Sequence, residues 1–189
     1  MAKDESYTPY WVINAVKSVL GIVELDPTSN GLGRIATHSI TLEQDCFKTD
    51  WKPYLWSERT VFLNPPYSKG GTFVKALWNY IDSGSVKSAI TLTLPGLLHN
   101  KNDAWMFSSP YCRLLAFPTG RINYQNNGES NPRDALITLW SHDAELDNRF
   151  IEVFQNLVAP RDSSSRVTGA LITRPFLKIE DTQQVSLDL

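Results

Sequence analysis

Apolar residues recur at helical spacing near the start of the chain, where Trp11-Val12, Ala15-Val16 and Val19-Leu20 follow Thr8-Pro9 and stop at Gly21. Threonine and proline at the first turn and glycine past the last apolar pair predict a helix over 9–20. The pattern then changes. Ile22-Val23-Glu24-Leu25 is a short, mostly apolar run that meets Asp26-Pro27, as in a buried parallel strand with Asp26 at its C-terminal end. Residues 28–56 carry Gly31, Gly33 and many polar side chains. Only Ile40-Thr41-Leu42 reads as β there, so regular structure should be brief. Thr60-Val61-Phe62-Leu63 reads as a second strand, broken at Asn64-Pro65-Pro66 because proline lacks an N–H for the ladder and restricts the residue before it.

Phe73-Val74, Leu77-Trp78 and Ile81 predict a helix that ends near Gly84. A third strand is expected over 89–94, closed by Pro95-Gly96, and a short helix over 101–108. Residues 113–117, 122–124 and 135–140 are three more strand candidates. The last two flank a polar loop rich in Asn and Gly and read as a hairpin. Phe150-Ile151, Val153-Phe154 and Leu157-Val158 complete the pattern with an amphipathic helix. Strands alternating with helices predict an α/β fold whose sheet is mainly parallel, with an antiparallel hairpin toward the C-terminus. Ligands of such sheets sit at the C-terminal strand ends, near the point where strand order reverses. Asp26 and Asn64 both fall at such ends and are expected to share one pocket.

A length of 189 residues, with 42% hydrophobic and 20% charged, suits one globular domain. The reading places it over 1–158, followed by an extension over 159–189. The first residues lack an apolar leader and no run reaches 18 apolar residues, so a soluble, cytoplasmic protein with no membrane partner is expected. Cys46 and Cys112 lack CxxC spacing, which predicts free thiols and no structural metal. The net charge of −2 argues against coating nucleic acid through charge alone. The extension is nevertheless locally basic, with Arg161, Arg166, Arg174 and Lys178 against Asp162. That stretch is either a solvated tail or a nucleic-acid contact. GxSxG, P-loop and HExxH motifs are lacking, which excludes the common hydrolase classes. His38, His99 and His142 are isolated and read as surface or hydrogen-bonded residues, and Trp51, Trp56, Trp78, Trp105 and Trp140 as core.

The chemistry concentrates in Asn64-Pro65-Pro66-Tyr67. Two prolines stiffen the backbone directly after a buried strand. A rigid loop there can aim the Asn64 side-chain oxygen and the Pro65 carbonyl at one point, where they accept both hydrogens of a planar NH2 group. Drawing that nitrogen toward tetrahedral geometry localises a lone pair that conjugation had spread, and a sulfonium methyl donor is the matching electrophile. Tyr67 would stack on the acceptor's face. The loop predicts N-methylation without naming the acceptor: adenine N6 in DNA, a protein glutamine and guanine N2 in RNA all present a planar conjugated nitrogen. A binding module that keeps the fold without turnover is a separate possibility. Asp26-Pro27 suits a cofactor site, since carboxylates at strand ends hold ribose hydroxyls or an ammonium group.

Tyr7-Thr8-Pro9-Tyr10-Trp11, Glu24-Leu25-Asp26-Pro27, Asp45-Cys46-Phe47 with Trp51, Phe62-Leu63-Asn64-Pro65-Pro66-Tyr67-Ser68 and Gly120-Arg121-Ile122 together resemble the landmarks of the phage-type DNA N6-adenine methyltransferase family. The resemblance spans roughly 6–140. It implies a Rossmann-like methyltransferase fold, S-adenosylmethionine as donor and adenine in DNA as acceptor, flipped from the duplex. It implies further that Asn64, Pro65, Pro66 and Tyr67 are catalytic, that Thr8 and Pro9 touch the methionine end of the donor, and that Asp26 with Pro27 holds its polar groups. Asp45 with Cys46 would hold the adenosine, through its ribose or its adenine. Arg121, Arg133 and the Asn126-Asn127 tip are candidate phosphate contacts, as is Arg166 in the basic stretch. Site recognition would fall to short loops, that stretch or a second subunit, and relaxed or short-site specificity is expected.

Overall fold

The computed structural model describes residues 7–31, 35–126, 129–161 and 163–175; Gly33, Asn127, Asp162 and Lys178 lie outside them. Helix α1 (Tyr10–Leu20) begins where the Pro9 carbonyl accepts the N–H groups of Val12 and Ile13 at 3.0 and 3.1 Å. It buries the stripe Val12, Ile13, Ala15, Val16, Val19 and Leu20 and ends at Gly21, whose φ of 71° lets its N–H turn back to the Lys17 carbonyl at 2.8 Å. Strand β1 (Leu25–Asp26) is shorter than the apolar run: Ile22 is 59% exposed, while Val23 and Glu24 are buried and bonded through the backbone to Thr37, His38 and Thr60. Its neighbour β2 is His38–Ser39 and not the expected 40–42. Ile40 is buried just past the strand, still donating its N–H to the Asp26 carbonyl at 3.0 Å, whereas Leu42 is exposed.

Strand β3 (Thr60–Leu63), helix α2 (Gly70–Asp82), strand β4 (Ser88–Thr93) and strand β5 (Cys112–Pro118) lie where the apolar pattern places them. The short helix expected over 101–108 is a 3-10 turn, Ala104–Ser108. The hairpin is a correction. Its strands are β6 (Ile122–Asn126) and β7 (Glu129–Arg133), in register from Ile122↔Arg133 to Asn126↔Glu129, and they form a sheet of their own. The apolar run expected to pair with 122–124 is instead β8 (Leu136–Ser141), buried along its whole length in the main sheet. A strand apolar on both faces needs covered faces and two partners, whereas β7, with Pro132, can be accommodated in a two-stranded ribbon.

The main sheet runs β2-β1-β3-β4-β8-β5-β9, with β9 at Ala170–Thr173. Parallel pairing joins β2, β1, β3 and β4, while β8 runs antiparallel between β4 and β5 and β9 antiparallel to β5. It is a mostly parallel sheet of seven strands with two reversed. Helix α3 (Asp147–Gln155) stops before the expected Leu157-Val158, where the chain turns and Val158 bridges Thr168. The pattern predicted no element past that helix. Strand β9 escapes because only Ala170 in it is buried. Asp147, at the start of α3, takes two hydrogen bonds from Arg113 at 2.7 and 3.2 Å and one from Arg174 at 3.2 Å, so one exposed cation of the basic stretch is paired with a buried carboxylate of the fold.

Strand side chains alternate between two apolar layers. Phe62, Ile90, Leu139 and Leu114 face α1 and α3, while Val61, Leu63, Ala89, Leu136 and Trp140 face α2. Both cysteines are buried free thiols. Trp51 and Trp140 are fully buried, but Trp56 and Trp105 lie on the surface against expectation. Their indole N–H groups are met locally, by the carbonyls of Pro53 at 2.9 Å and Asn102 at 3.0 Å, so burial is not required to satisfy them. No helix among the described residues is long and apolar enough to cross a membrane.

Candidate active site at the β1–β3 switch point

From β1 the chain passes to β2 on one side, and from β3 to β4 on the other. The crevice beyond the C-terminal ends of β1 and β3 is therefore the topological switch point of the sheet. Asp26 ends β1 and Asn64 follows β3, and both line a cavity of about 500 Å³ that opens there.

Two residues after Asp26, Thr28 closes a tight turn: its N–H and its hydroxyl both donate to Asp26 Oδ1 at 2.9 Å. Burial pushes the Asp26 carboxyl up to about 6, and the two Thr28 donors only partly oppose it. The Thr28 hydroxyl also accepts the backbone N–H of Asn64 at 3.1 Å, so one side chain joins the two strand ends. The Asn64 amide is held from the other side, where Nδ2 donates to Thr8 Oγ1 at 2.7 Å. Pro66 is extended, with φ −52° and ψ 126°, and its carbonyl accepts the Lys69 N–H at 3.0 Å in the turn that carries Tyr67 into α2. The Tyr67 ring meets Tyr124 of β6 edge to face at 5.9 Å. Burial pushes the Tyr67 phenol up to about 12, while the Arg133 guanidinium is among the groups that draw it back.

The wall opposite is built by the loop after β2. Asp45 adopts φ 55°, and its carboxylate takes Lys48 Nζ at 3.0 Å and the Phe47 N–H at 3.1 Å, which together hold it below the usual carboxylate range. Cys46 beside it is buried, its thiol pushed up to about 11 by that burial, and its carbonyl accepts Trp51 Nε1 at 2.9 Å. Trp51 itself stacks on Tyr80 at 4.5 Å and lies behind the wall without lining the cavity.

The fold thus brings Thr8, Asp26, Pro27, Asp45, Cys46, Asn64, Pro65, Pro66, Tyr67 and Arg133 to one cavity from five separate stretches of chain. Pro9 starts α1 and is not among the lining residues. Arg121 lies off the cavity, its Nε donating to Asp134 at 3.2 Å. Arg166 is also off it: its carbonyl packs on Gly120 so closely that a side chain there has no room. Thr28 is the residue that sequence reasoning passed over. The signal was Asp-Pro-Thr, in which a hydroxyl two positions after an aspartate can close the turn, but its link to Asn64 crosses 36 residues and is invisible locally.

An α/β sheet with an acidic strand end and a proline-stiffened loop at its switch point defines a class of ligand-binding enzyme folds. A family model described as DNA N-6-adenine-methyltransferase (Dam) matches residues 1–135, and the chain belongs to that family. Membership implies DNA adenine-N6 methyltransferase activity, with DNA as the substrate. A comparison with curated proteins finds no match.

Proposed function

We propose that the chain transfers a methyl group from S-adenosylmethionine to the exocyclic N6 of adenine in DNA, at the cavity between Asp26 and Asn64, on a Rossmann-like methyltransferase sheet. The carrying observation is the Asp26–Thr28–Asn64 chain of hydrogen bonds, which sets a carboxylate and an amide on one cavity wall. The residues fit the donor. A volume of about 500 Å³ suits a nucleoside-sized ligand, and both Thr28 donors fall on Asp26 Oδ1, which leaves Oδ2 for an ammonium or hydroxyl group. Asp26 with Pro27 would hold the donor's polar groups, Thr8 its methionine end, and Asp45 and Cys46 its adenosine. Bound there, S-adenosylmethionine supplies an electrophilic methyl group on a sulfonium.

Everything else falls to the loop. Asn64 Oδ1 and the Pro65 carbonyl accept the two N6 hydrogens, so the lone pair localises on nitrogen without a strong base. The adenine must leave the base stack to reach them, and the Tyr67 ring then covers its face. Arg133 at the rim supports the phosphates beside the extruded base, and recognition of a short site rests on the loops around it.

Mass spectrometry of nucleosides from DNA incubated with methyl-labelled S-adenosylmethionine tests the reading. Labelled N6-methyladenosine as the deoxynucleoside is expected, with Asn64→Ala slower by about 100- to 1000-fold. Label confined to cytosine, RNA or a glutamine peptide would overturn it.

A further inference from the structure

Asn64 carries three N–H bonds, one on the backbone and two on the amide. Two threonine hydroxyls occupy the backbone N–H and one amide N–H: Thr28 Oγ1 accepts the first at 3.1 Å, and Thr8 Oγ1 accepts from Nδ2 at 2.7 Å. Thr28 commits its single proton to Asp26 Oδ1 at 2.9 Å, so its lone pairs are the groups left to face Asn64. Asn64 Oδ1 takes no hydrogen bond among the described residues, and the side chain lines the cavity. The three residues are 36 and 56 positions apart and come from the turn after β1, the approach to α1 and the end of β3.

We infer that Thr8 and Thr28 are positioning residues for Asn64, holding its amide turned so that Oδ1, and not the NH2 group, is offered to the acceptor amine. The inference rests on the reading of Asn64 as an acceptor in methyl transfer. An amide turned over sets an N–H donor against the substrate N–H that Oδ1 would accept, a repulsive arrangement that withholds the lone pair from the methyl donor. A free asparagine rotates between these states, since its terminal torsion has two broad wells. Thr8 selects one of them, and Thr28 fixes the backbone from which the side chain is aimed. Neither hydroxyl needs to touch the acceptor.

The test uses the full chain and the isosteric variants Thr8→Val and Thr28→Val, with Thr8→Ser and Thr28→Ser as rescues and Asn64→Ala as reference. Rates are measured at saturating S-adenosylmethionine and adenine-containing duplex. Each valine variant is expected to lower kcat about 10- to 100-fold, with KM for DNA within about threefold. Each serine variant restores kcat to within about threefold, since it keeps the oxygen. A second readout needs no turnover: in a 15N-1H correlation spectrum, the Asn64 side-chain amide pair, assigned by its loss in Asn64→Ala, shows one shifted, bonded proton. In Thr8→Val, though not Thr8→Ser, that shift collapses. If a valine variant folds poorly, the amide spectrum of the corresponding serine variant still reports the bond.

Unchanged kcat in both valine variants alongside a disabled Asn64→Ala would overturn the inference and leave the proposed function standing. So would a loss confined to donor affinity, or an amide pair that Thr8→Val does not move. Full activity in Asn64→Ala would overturn the proposed function itself.

Discussion

Glu24 and Asp26 stand two residues apart at β1, both buried, and the fold treats them in opposite ways. The Glu24 carboxylate accepts four consecutive backbone N–H groups, from Trp56, Ser57, Glu58 and Arg59, at 2.8, 3.0, 3.1 and 2.9 Å. Burial pushes its pKa up, but these donors outweigh burial and hold it below its ordinary value. Asp26 has two donors, both from Thr28 and both on one oxygen, so burial wins and the group rises to about 6. A carboxylate saturated by its own backbone clips the segment before β3 to β1. One left half-satisfied at a cavity keeps capacity for a ligand.

Removing the charge separates the two roles most sharply. Asp26→Asn should weaken S-adenosylmethionine binding by about 100-fold or more, read by calorimetric titration, because a buried charged partner is lost. The same variant should melt higher at pH 7.5 and unchanged at pH 4. The sign follows from the raised pKa: between 3.8 and about 6 the folded chain keeps a proton that the unfolded chain releases, so rising pH costs stability, by about 3 kcal/mol for two units. A melting point that falls at pH 7.5 would make Asp26 a second structural clip and end the contrast.

Glu24→Gln is expected to act the other way, losing about 2–3 kcal/mol of stability in denaturant titration, since one amide oxygen cannot serve four N–H donors. Donor affinity should hold. Because the Glu24 pKa is lowered, its contribution is complete above its ordinary 4.5 and drains as pH falls through the lower folded value.

A smaller effect distinguishes the acids by titration. Donor affinity should be level above pH 6 and drop about tenfold per unit below it, as Asp26 takes up its proton. Glu24→Gln should show the same profile. The mildest change lies on the DNA side: Arg133→Ala should raise KM for DNA several-fold and reduce the salt slope of binding by about one, with donor affinity untouched.

The strand ends that frame the cavity were written in the chain before folding. The Asp26-Pro27 stop after an apolar run and the two prolines after Thr60-Val61-Phe62-Leu63 mark strand ends, and the helical spacing of Val12 through Leu20 places α1 within a residue. The hairpin was misread for a physical reason. Glu129-Ser130-Asn131-Pro132-Arg133 has no apolar alternation to announce a strand, so Leu136 to Trp140 was the only visible partner for Ile122 to Tyr124. The missed β9 and the surface positions of Trp56 and Trp105 have the same root, since composition reports what can be buried and not which neighbours are present to bury it.

By itself the sequence determined the alternating α/β pattern, the stiff Asn64-Pro65-Pro66-Tyr67 loop and an acid at a strand end, because each follows from backbone constraints acting over a few residues. Only the tertiary structure decided that Glu24 is consumed by the backbone and Asp26 is not. It also decided that Thr28 ties Asp26 to Asn64, that Arg133 reaches the cavity while Arg121 pairs with Asp134, and that β8 inserts antiparallel between β4 and β5. These outcomes depend on which donors and apolar faces meet across tens of residues, and desolvation and hydrogen-bond satisfaction are properties of that meeting, not of any segment alone.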